Sequence, residues 1–134
     1  MEAERRSELP VRTETNIKEL WSMARLLSLF DLHHEQRDTR SWAHANLIEL
    51  YLLSLLPDLA GLLAPADAER LALEHTDQLL AIAGWDSFEC YSTRRQVLRY
   101  LDWYREVAAP SLEPLMRPAE RVFERFPFEV EGRY

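Results

Sequence analysis

The chain has 134 residues, 47 % hydrophobic and 29 % charged, with a net charge of −7 and one cysteine. That length and balance suit one globular domain with a real core and exclude a disordered chain. The acidic charge opposes binding to nucleic-acid phosphates, and the lone Cys90 excludes an internal disulfide or a multi-cysteine zinc site, leaving a small buried hydrophobe in a reducing compartment.

Residues 1–12 are polar, contain Pro10 and are expected to be loose; residues 13–134 are read as a single helical domain. No apolar stretch follows the charged start at Met1 to Arg6, so no secretory leader is expected. With only three glycines and many Leu, Ala, Glu and Arg, the chain favours helix over sheet. The prediction is all-α, a single compact bundle of about five helices stacked as antiparallel hairpins.

Thr13 or Thr15 is placed to cap the first helix, which runs to about His33. Its apolar stripe is Ile17, Leu20, Trp21, Ala24, Leu27 and the Leu26/Phe30 pair, with Lys18 and Arg25 off it. Thr39 or Ser41 opens the second helix. From Trp42 to Leu56 only His44, Asn46, Glu49 and Ser54 are polar, and at about 100° per residue they scatter around the axis. This run reads as a rod enclosed on all sides, ended by Pro57. The apolar region through Leu63 is interrupted by Glu49, Pro57 and Asp58, too short and broken for a membrane span. A cytoplasmic protein without membrane contact is expected.

Pro65 suits the first position of a third helix with core residues Ala68, Leu71, Ala72, Leu79 and Ile82, and Gly84 stops it. Trp85 to Tyr91 reads as an aromatic loop. Thr93 and Gln96 have capping-box spacing and open the fourth helix, whose stripe is Val97, Leu98, Leu101, Tyr104, Val107 and Ala108. A short fifth helix is predicted from about Pro118 to Phe126, followed by a tail with Phe128, Val130 and Tyr134.

Candidate sites follow from these placements. His33, His34 and Glu35 point in different directions and lack the i, i+4 pairing of helical metal ligands, so they read as a solvated loop. No metal and no cofactor is expected. Asn46, Glu49, Arg94 and Arg95 are expected as buried polar residues, with Glu49 pairing an arginine of the fourth helix or lining a small-ligand pocket. Arg94, Arg95, Arg99 and Arg105 form the basic cluster, but Asp102 and Glu106 sit among them, so nucleic-acid contact is disfavoured.

Four tryptophans are many for this length. Trp21 and Trp42 fall at stripe or core positions. Trp85 and Trp103, with Arg99, Phe128 and Tyr134, are the candidate partner surface, because exposed aromatics mark interfaces.

Two resemblances extend this reading. Arg37 and His44, with six residues between them, resemble the Arg-x(4–6)-His motif of HEPN-type helical ribonucleases, which implies phosphate steadying by Arg37 and proton transfer by His44. The helices between Trp42 and Trp103 resemble tetratricopeptide-like helical repeats: a tryptophan opens the rod, the small Ala45 follows, and a proline lies beyond the pair. Asn46 stands where the repeat has glycine, and Glu49 where it has tyrosine. This second resemblance implies a scaffold that grips a protein without chemistry of its own. The sequence therefore leans towards a non-catalytic interaction or assembly module that binds another protein or itself, as a homodimer, through an aromatic patch and the C-terminal tail. The alternatives are an RNA-cleaving enzyme using Arg37 and His44 and a small-ligand domain near Glu49.

Overall fold

The structure, a computed structural model, describes the backbone of residues 2–107, 110–127 and 129 and the side chains of 16–106, 110–127 and 129. Among these residues the chain is all-α, with no strand. Helix α1 spans Glu2–Asp31, α2 Arg37–Leu53, α3 Pro65–Ala83, α4 Phe88–Val107 and α5 Glu113–Arg125; single 3-10 turns at Pro57–Leu59 and Pro110–Leu112 lie between them.

The apolar run in α2 makes it the hub of the bundle, and it touches each of the other four helices. Leu47, Ile48, Tyr51 and Leu52 are fully buried, packed with Trp21, Ala72, Leu79, Val97, Leu101, Leu115, Ala119 and Val122. Burying each large side chain contributes roughly 1.5–3 kcal/mol, so this cluster dominates stability. Cys90 is free and buried within it, and that burial pushes its thiol pKa up.

The rod is not enclosed all round, which corrects the expectation. Trp42 (37 % exposed) and Asn46 are exposed and Glu49 is half-buried. The spacings 42, 46 and 49 place these three on one face. Ser92, Gln96 and Tyr100 of α4 front that face with polar groups, so it stays open to water where an apolar neighbour would have closed it.

The core face of α1 also differs from the expected stripe. Trp21 and Ser28 are buried, while Ile17, Leu20, Leu26, Leu27 and Phe30 are exposed. Apolar residues surround this helix, so periodicity alone could not choose between its faces. Specific contacts decide: Trp21 donates its indole N–H to the Leu50 carbonyl at 2.7 Å, and Arg25 Nε donates to the Tyr51 hydroxyl at 3.3 Å. Arg25 therefore belongs to the packed side, its guanidinium lying over both the Trp21 and Tyr51 rings. The backbone of α1 is helical from Glu2, ahead of Thr13 and Thr15.

Helix α4 begins five residues before Thr93. Ser87 Oγ accepts the Cys90 N–H at 3.2 Å in the geometry of an N-cap, while Thr93 Oγ1 bonds back to the Glu89 carbonyl at 2.8 Å. Likewise α5 starts at Glu113, because Pro114 occupies its first turn, where a missing amide costs nothing. Gly84 ends α3 at φ +86° and gives its N–H to the Leu80 carbonyl.

Candidate functional site: the recess between α2 and α4

The open face of α2 and the facing stripe of α4 bound a recess of about 140 Å³, lined by Trp42, Ala45, Asn46, Ile48, Glu49, Ser92, Thr93, Gln96, Val97 and Tyr100. Ile48 and Val97 form its apolar floor, and Glu49 its polar wall. The Glu49 carboxylate accepts a hydrogen bond from the Tyr100 hydroxyl and another from Gln96 Nε2 at 3.3 Å. Gln96 also donates to the Tyr100 hydroxyl at 3.3 Å, and Arg99 Nη1 donates to Gln96 Oε1 at 3.2 Å. Burial, reinforced by the bond to Glu49, pushes the Tyr100 phenol up to about 12, so it stays a neutral donor. A carboxylate offers about four acceptor positions, so Glu49 can still receive a donor from outside.

Aromatic residues frame this recess. Trp42 packs edge-to-face on Phe88 with centroids 6.1 Å apart, and Phe88 lies 6.1 Å from Tyr91. Trp85 is 44 % exposed and Phe88 also lies largely open. Trp103, 54 % exposed, follows Gln96 and Tyr100 at helical spacing and continues the α4 stripe that forms the wall.

The sequence-predicted residues thus divide. Glu49 lines the recess, Arg99 reaches it through Gln96, and Trp103 lies one turn beyond Tyr100 on the same stripe; Trp85 is exposed but is not one of the lining residues. Asn46 lines it but is exposed, and Arg95 is exposed, which corrects both as buried polar residues. Arg94 is buried, its guanidinium 4.4 Å from the Phe123 ring centroid. The observed partners of Glu49 are Tyr100 and Gln96, in place of the arginine expected. Phe128 and Tyr134 lie outside the described residues.

Arg37 and His44 sit two turns apart, roughly 10 Å along the axis. Arg37 is exposed and bonds Asp38 at 3.5 Å. His44 faces α3, its Nδ1 2.9 Å from Nδ1 of His75. His75 in turn stacks on Tyr51, with centroids 5.7 Å apart. Burial lowers the pKa of both imidazoles; His75, with a smaller contribution from the neighbouring His44 charge, falls to about 4. Both rings are therefore neutral near pH 7, one nitrogen of the pair donating and the other accepting. Sequence reasoning missed His75. Its signal was present, because 68, 72, 75 and 79 share one helical face and three of the four are apolar.

Among the described residues no three metal-ligating side chains converge, and no helix is long and apolar enough to cross a membrane. Compared with protein-family models, curated proteins and solved structures, the chain shows no match.

Proposed function

We propose that this chain is a non-catalytic protein–protein interaction module whose α2/α4 recess seats one apolar side chain of a partner segment. The carrying observation is the size and lining of the recess. At about 140 Å³ it falls below the roughly 300–1,000 Å³ of small-molecule sites and suits a single side chain. Its floor is apolar, its one carboxylate retains acceptor capacity, exposed Trp42 lines it and exposed Trp103 follows Tyr100 by one turn. Aromatic anchors beside a small pocket are the usual composition of an interaction hot spot. A partner segment bearing an apolar side chain and a neighbouring N–H or cationic donor fits both parts, and the −7 net charge favours the cationic form.

The test uses Trp103→Ala and Asn46→Trp, both at exposed positions, the second filling the recess. Each is expected to leave the melting temperature almost unchanged while removing the protein that co-purifies with the wild type. Retention of that protein by both variants overturns the reading. RNA cleavage by the purified chain that His44→Ala abolishes would replace it with the nuclease alternative.

A further inference from the structure

Helix α1 packs chiefly on α2 and the Pro57–Leu59 turn, and from residue 16 on its opposite side faces solvent. On that side, between Leu20 and Phe30, every exposed residue is apolar: Leu20, Met23, Leu26, Leu27 and Phe30. Ile17, 39 % exposed, lies at the edge of this face, towards the packed side. Phe30 is the most open, at 75 %. Of the cations on α1 beside this face, Arg25 is held against Trp21 and Tyr51, and Lys18 donates to the Ala60 carbonyl at 3.3 Å.

We propose that this face of α1 is a self-association surface, covered by the same face of a second copy of the chain in a two-fold antiparallel helix pair. The inference is independent of the α2/α4 recess. Three observations select a second copy as the occupant. The first is spacing. Leu20, Met23, Leu27 and Phe30 follow intervals of three, four and three, the seam that two helices share when they pack along their length. The second is self-complementarity. A two-fold axis level with residue 25 sets Leu20 opposite Phe30 and Met23 opposite Leu27, and brings the two Leu26 side chains together. Large apolar groups then meet large apolar groups, and no charge is buried despite the acidic chain. The third is area. The five side chains from Leu20 to Phe30, 58–75 % exposed, present roughly 600 Å² of surface, the upper end of the largest patch on a typical monomer. Two such faces together bury up to roughly 1,200 Å², above the roughly 1,000 Å² that a specific interface has to clear.

The experiment is sedimentation equilibrium of the full chain and its Leu27→Glu variant, with circular dichroism of both. The wild type is expected at twice the mass of the chain. Leu27→Glu is expected at the single-chain mass with unchanged helicity, because Leu27 is open in the isolated chain. Oxidative crosslinking fixes the geometry: Leu26→Cys is expected to give a covalent dimer and Phe30→Cys none, and buried Cys90 does not compete. A monomeric wild type overturns the proposal. So does a dimer that survives Leu27→Glu, or crosslinking through position 30 and not 26.

Discussion

Single residues of one type play opposite roles here, and burial separates them. Trp21 is locked into the core by its indole hydrogen bond, whereas Trp103 stands mostly in solvent. Trp103→Ala should therefore change the unfolding free energy by less than about 0.5 kcal/mol, while Trp21→Ala should cost about 3–5 kcal/mol, both read from denaturant unfolding. Leu47, fully buried at the centre of α2, should cost about 2–5 kcal/mol as Leu47→Ala. The burial of Leu47, Ile48 and Leu52 was legible in the sequence, because an apolar run leaves little doubt about what neighbours must cover. The exposure of Trp42 was not. Its outcome depends on Ser92, Gln96 and Tyr100 of another helix, and no periodicity within α2 contains that information.

Packed pairs of helices carry their own consequences. The His44–His75 contact joins α2 to α3 with both rings neutral. Their folded-state pKa values lie below the unfolded value near 6.5, so the unfolded chain binds more protons in the window below it. Stability should thus be complete above about pH 6.5 and decline as pH falls towards 4, by up to about 3 kcal/mol from His75. Melting temperatures across that window test this; His75→Phe should flatten the decline, and an unchanged slope would contradict it. Helix α5 is tied to α3 by Arg121–Glu69 at 2.6 Å and Arg125–Asp77 at 2.6 Å, both partly exposed. Arg125→Ala should cost under about 1 kcal/mol in denaturant unfolding, as solvent-exposed ion pairs do. Gly84, at φ +86°, should tolerate a Cβ poorly: Gly84→Ala is expected to cost roughly 1–2 kcal/mol through backbone strain at the end of α3. That stop was readable in the sequence because glycine is the residue such a conformation selects. The starts of α4 and α5 were not: Thr93 has capping spacing, but Ser87 holds the Cys90 amide and Pro114 opens the last helix. Several residues of each candidate start could serve, and tertiary packing decided among them.

The assembled molecule is one core around α2 with two unusual surfaces. One is the recess that α2 and α4 leave between them; the other is the outward apolar face of α1. The all-α class followed from composition and punctuation alone. The recess did not, because Glu49 and Tyr100 are far apart in the chain and their meeting is a property of the fold. The most direct test of the interaction reading is site-specific photocrosslinking in the source cell. A photoreactive side chain replaces Trp103, beside the recess, or Arg117, an exposed control on α5. A discrete protein adduct at 103 that Asn46→Trp abolishes, with none at 117, is the expected result. Absence of an adduct at 103, or the same adduct at both positions, would contradict it.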